Sequence, residues 1–199
     1  MFDVSTLATP AIYHHGAVFF TELAEQSTKT PHWFGGDLNL TVEGLPHGPH
    51  ALHRIVTLDL TDKRLGISSA AGLRYLPLVY SMRLDSTEYD YLVESDRAIC
   101  IKHSDNQTSL GEWPYEGFPA VLPRFGLRLL DPVCATLEEV QPLTHQGFTL
   151  AEPDQLVVIV PSIAEYGGVS LWGELGWGVQ MIFYFTPSDR RVWATNQID

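Results

Sequence analysis

The segment from Val179 to Thr195 constrains the fold more than any other part of this chain. VQMIFYF is a seven-residue run of strongly β-prone, almost wholly apolar residues, Pro187-Ser188-Asp189 supplies turn chemistry, and Arg191 to Thr195 returns as a second β-prone run. Strands joined this closely can only be antiparallel, because a parallel pair needs a crossover of a dozen or more residues. A long apolar strand at an open edge invites aggregation. VQMIFYF is therefore predicted to lie inside a sheet or under a subunit interface.

Other segments extend the β-rich reading. LVVIV (Leu156 to Val160) is predicted to be a buried strand, and LHRIVTLDL (Leu52 to Leu60) and LPLVYSMRL (Leu76 to Leu84) are strand-like. Glu88 to Glu94 alternates clearly, with Tyr89, Tyr91 and Val93 on one face and Glu88, Asp90, Leu92 and Glu94 on the other. Turns at Asp85-Ser86-Thr87 and Ser95-Asp96 connect it to its neighbours, predicting a three-stranded antiparallel meander from Leu76 to Lys102.

Helical signals are few. AVFFTELAEQ (Ala17 to Gln26) spaces apolar residues as a short helix would, and Thr136-Leu137-Glu138-Glu139 has the form of a capping box before Pro142. Gly111 to Pro123 carries three prolines and two glycines in thirteen residues and is expected to be an extended loop, packed by Trp113, Tyr115 and Phe118. The predicted fold is a single α+β domain over residues 1–199, β-rich, mainly antiparallel sheet, with one or two short helices.

At 199 residues, 45% hydrophobic and 18% charged, the chain can bury a large core. Its net charge of -12 is spread over both halves, and with only 12 Lys and Arg against 24 acids no nucleic-acid groove is expected. No apolar run is long enough for a membrane helix, and the start lacks secretory form, so a cytoplasmic, membrane-free protein is expected. Cys100 and Cys134 have no metal-like spacing, and a disulfide between them is left open.

Three constellations carry candidate chemistry. His47, His50 and His53 lie within seven residues, and three neutral imidazoles with an open position would hold catalytic zinc or nickel. The prolines around them keep the segment from being helical, so spacing alone does not converge the rings. Glu88, Asp90 and Glu94 form an acidic strip, read as a solvated strand face or as a docking surface for a basic partner. Trp172 and Trp177 flank a glycine-rich turn and could stack a sugar, whereas Trp193 is expected to pack within its strand. Gly168-Val169-Ser170-Leu171-Trp172 approaches a nucleophile elbow but lacks its final glycine and a following helix.

Trp172-Gly173-Glu174-Leu175-Gly176, followed by Gln180-Met181-Ile182-Phe183, Arg191-Val192 and Gln197, resembles the closing segment of the YwqG-like family of uncharacterised bacterial proteins. The resemblance implies a β-rich fold in a bacterial protein and brings no catalytic residues with it.

The function expected from these residues is a non-enzymatic intracellular binding protein of the inhibitor or immunity kind. It would present Glu88, Asp90 and Glu94 to a basic protein, without a cofactor. The alternatives are a metal-dependent hydrolase built on the histidines and a carbohydrate-binding module built on Trp172 and Trp177. Oligomeric state is not legible.

Overall fold

The computed structural model describes residues 2–24, 30–45, 52–67, 72–82, 88–105, 118–161, 165–166, 169–171 and 179–198. The strands are β1 (Ala11–His14), β2 (Ala17–Ala24), β3 (His32–Gly36), β4 (Thr41–Glu43), β5 (His53–Asp59), β6 (Tyr75–Tyr80), β7 (Glu88–Ser95) and β8 (Ala98–Ser104), followed by β9 (Leu122–Leu129), β10 (Val133–Cys134), β11 (Leu156–Val160), β12 (Glu165–Tyr166), β13 (Val169–Ser170), β14 (Val179–Thr186) and β15 (Arg191–Ile198). The α-helix among the described residues is α1 (Leu137–Val140), closed at its start by the expected capping box of Thr136 and Glu139. The fold is thus mostly β. This corrects the α+β expectation, since one four-residue helix does not form a layer.

Thirteen strands join in the order β4-β8-β7-β15-β14-β11-β1-β2-β9-β3-β5-β6, with β10 added beside β2. All these ladders are antiparallel except β4 on β8. The hairpin of β14 and β15 forms as expected, with Thr186 opposite Arg191, and β14 lies inside the sheet between β11 and β15.

Strand β2 is the structural pivot. Its first half, Ala17 to Phe20, pairs with β1, while Thr21 to Ala24 pairs with β9. One strand thereby passes from one sheet into another, which makes the corner of a sandwich. The ends of the strand path then face each other: Tyr91 of β7 reaches the backbone of β6, and Asn196 Nδ2 of β15 donates to the Tyr80 hydroxyl at 2.9 Å.

The main core fills the space between the facing sheets and includes Phe19, Phe34, Ile55, Leu76, Tyr91, Val158 and Phe183. A second core lies on the other side of β1, β11 and β14, where Val140, Leu143 and Phe148 cover Tyr13, Val157, Ile159 and Ile182. Val18 faces this second core and Phe19 the first. With apolar partners on both sides, β2 loses polar alternation, and its predicted helix is in fact a strand.

The predicted meander holds only in part. β7 and β8 pair, but the second neighbour of β7 is β15, while β6 lies across the core and pairs with β5. The expected loop also ends early, because Leu122 and Pro123 already belong to β9. The residue after Phe34 explains one irregularity: Gly35 has φ +67° where the β3–β9 register shifts, and a Cβ there would lie 2.0 Å from the Pro123 carbonyl oxygen. Only glycine fits that backbone approach.

Candidate functional sites

The outward face of β7 and β15 contains the acidic strip. Glu88 and Asp90 are partly buried and Glu94 is exposed. Asp90 is not a free acid: Arg191 Nε donates to its Oδ1 at 2.7 Å, and Arg191 Nη2 donates to Oδ2. This fork neutralises the middle of the strip and raises the Arg191 guanidinium further.

Trp193 sits directly opposite Asp90 in the β7–β15 register. Its ring remains 40% exposed and stacks on Tyr184 with centroids 4.8 Å apart. The expectation that Trp193 packs within the sheet is therefore met on one ring face only. Burial pushes the Tyr184 phenol up to about 12, so this neighbour stays neutral and apolar. A depression of about 380 Å³ adjoins the two rings, bordered also by Glu88, Gln146 and Gln197. Gln197 is already committed, donating to Gly147 O at 2.6 Å and accepting from Gln146 N at 3.1 Å.

Of the three clustered histidines, the structure describes His53. His53 is buried, its Nε2–H donates to Pro119 O at 3.0 Å, and its ring meets Phe118 edge-on. That nitrogen has no lone pair to offer a metal. His47, His50, Trp172 and Trp177 lie outside the described residues, as do Trp113 and Tyr115. Among the described residues, no three His, Cys, Asp or Glu side chains gather as a metal would require. Both cysteines are free thiols, Cys100 half-buried and Cys134 exposed.

His32 and Asp62 have the outline of a catalytic dyad, at 3.0 Å between Nε2 and Oδ2. The other ring nitrogen, however, accepts the Asp59 backbone N–H at 3.0 Å. With Nδ1 occupied and Nε2–H on the carboxylate, the ring has no lone pair left for base catalysis. Burial lowers the His32 pKa and Asp62 opposes that effect. Burial would raise Asp62, but hydrogen bonds from Arg64 and His32 outweigh it and hold the carboxyl well below its usual range. Ser170 ends β13, paired with Glu165, while Gly168 and Trp172 of the elbow-like segment lie outside the described residues.

A site not legible in the sequence is a cleft of about 1060 Å³, lined by Trp33, Leu52, Arg54, Tyr75, Arg97 and Leu122 among others. Trp33 and Tyr75 meet edge-to-face at 5.3 Å. Arg124 stands 4.5 Å over the Trp33 ring and Arg74 stands 4.9 Å over Tyr75. Arg54 donates from Nη2 to Leu38 O at 2.5 Å, tethering the crossing from β3 to β4. Burial lowers the Arg54 pKa, Arg124 lowers it further and Asp37 opposes them.

No described helix is long and apolar enough to cross a membrane. No family model matches the chain, and neither a curated protein nor a solved structure matches it.

Proposed function

We propose that this protein is a non-enzymatic, cytoplasmic binding protein that docks a basic protein segment on the outer face of β7 and β15. The observation that carries this reading is the position of Trp193. An aromatic ring left 40% exposed in mid-strand, backed by Tyr184 and placed opposite Asp90, is the kind of anchor that dominates interfaces. Glu88 and Glu94 lie on the same strand, on either side of the neutralised Asp90, and supply the charge that selects a basic partner.

The reading revises the acidic strip in one respect. Asp90 serves to fix Arg191, while Trp193 supplies contact area and Glu88 and Glu94 supply steering. A glycan is less well served by this face, because the Gln197 amide beside Trp193 is spent on Gly147 and Gln146. A metal-dependent hydrolase is less well served by His53, whose Nε2 is bound to a carbonyl.

Affinity capture with immobilised protein tests the docking face, run at low and high salt and with partners identified by mass spectrometry. A basic protein is expected on wild type at low salt and to be lost from both Trp193→Ala and the Glu88→Lys, Glu94→Lys double variant. A partner retained equally by all three proteins would overturn the reading.

A further inference from the structure

Beyond the docking face, we infer that the cleft between Trp33, Arg54, Tyr75 and Arg97 binds a small organic anion that has a flat apolar body.

The size fits a small molecule, since a cavity of about 1060 Å³ is at the upper end of common ligand pockets. Its walls divide by chemistry. Leu52, Leu122 and the exposed Val121 give apolar surface, and Trp33 with Tyr75 gives an aromatic corner. A flat ring system would replace water against these side chains.

The charge of the wall is opposite to that of the molecule. Acids outnumber Lys and Arg by 24 to 12, so an arginine in this chain should readily find a carboxylate. Arg64, Arg74, Arg128 and Arg191 do so. Arg54, Arg97, Arg124 and Arg190 have no ion pair among the described residues. Arg54 and Arg97 line the cleft and Arg124 covers its tryptophan, whereas Arg190 donates to the Glu94 carbonyl elsewhere.

The cleft's own acid does not compensate them. Asp96 Oδ1 is committed to the Arg74 and Tyr75 backbone N–H groups at 2.8 and 2.9 Å, which positions Tyr75 in the wall. Arg54 is half-buried, and its Nε has no hydrogen-bond partner among the described residues. Asp37 acts on this guanidinium through space but forms no ion pair with it. A partly buried guanidinium with no paired carboxylate is costly, and a bound anion relieves that cost.

Isothermal titration with 2-naphthoate tests the inference, with 2-naphthalenemethanol as the neutral analogue and inorganic phosphate as the anion without a ring. Naphthoate is expected to bind at least about tenfold more tightly than either control, and Arg97→Gln and Arg54→Gln are each expected to weaken it by about tenfold. Trp33→Leu should weaken naphthoate as well. Arg97 is exposed, so its variant remains informative if the Arg54 variant folds poorly. Trp193→Ala should bind naphthoate as wild type does, which separates this site from the docking face. Absence of naphthoate binding, equal affinity for the alcohol or for phosphate, or full affinity in Arg97→Gln would overturn the assignment.

Discussion

The Tyr91 hydroxyl accepts the backbone N–H of Val79 at 3.0 Å and donates to Pro77 O at 3.3 Å. β6 is the last strand on its path, so these two groups have no neighbouring ladder there. A buried side chain from the opposite sheet satisfies them instead. Tyr91 is fully buried, and this burial raises its phenol pKa, keeping it a neutral donor.

Tyr91→Phe therefore leaves a buried amide and carbonyl unsatisfied while changing little volume. The expected loss is about 1–3 kcal/mol. It would be read from the urea midpoint, with the slope of unfolding unchanged; a wild-type midpoint would show that this bridge contributes no stability.

Acid should destabilise the protein in two stages. His32 is held neutral by burial, so its folded pKa lies below the unfolded value of about 6.5. Its contribution is present above that value and falls as pH drops toward the folded pKa, because the unfolded chain takes the proton first. Asp62, also depressed, adds a contribution present above about pH 3.9 and lost below it. His14, likewise depressed chiefly by burial, acts in the first window. Urea midpoints measured from pH 7.5 to 3 should show both declines, and His32→Gln should flatten the first without removing it. An unchanged first decline in that variant would assign it elsewhere.

Gly35→Ala should cost well over 1 kcal/mol, because it combines a positive φ with a Cβ placed on the Pro123 carbonyl. Thermal unfolding would reveal this as a lower midpoint. A neutral substitution would mean that β3 and β9 can separate locally without loss.

Trp193→Ala and Phe183→Ala should behave oppositely to what their sizes suggest. Phe183 is completely buried, and its removal is expected to cost about 3–5 kcal/mol. Removing Trp193 loses its stack on Tyr184, about 0.5–1.5 kcal/mol beyond the area it covers there, and with the ring 40% exposed this is expected to cost less than removing Phe183. Chemical denaturation of the two variants side by side distinguishes a surface anchor from a core residue.

What was legible in the sequence follows from how many faces of each strand are covered. β7 has one solvated face, so Tyr89, Tyr91 and Val93 alternate visibly with polar positions, and the β14–β15 hairpin announces itself through its turn residues. β2 is covered on both faces and reads as a helix, while the first two residues of β9, Leu122 and Pro123, read as the end of a proline-rich loop. The exposed Trp193 could have been placed by parity, because Val192 and Ala194 are its buried neighbours. The cleft could not. Trp33, Arg54 and Tyr75 come from the adjacent strands β3, β5 and β6, Arg97 comes from the turn between β7 and β8, and neither that strand order nor that approach of the turn is written in any local pattern.

His14 pairs with Ala17, leaving His15 and Gly16 as a two-residue loop with φ values of +47° and +71°, the signature of a type I′ turn. That turn indexes β2 against β1, and β2 then carries the same index forward to β9. A slip of one residue would move Val18 and Phe19 into each other's cores in a single step. The phase of both sheets is thus keyed by two residues, as a single tooth sets the timing of two meshed wheels.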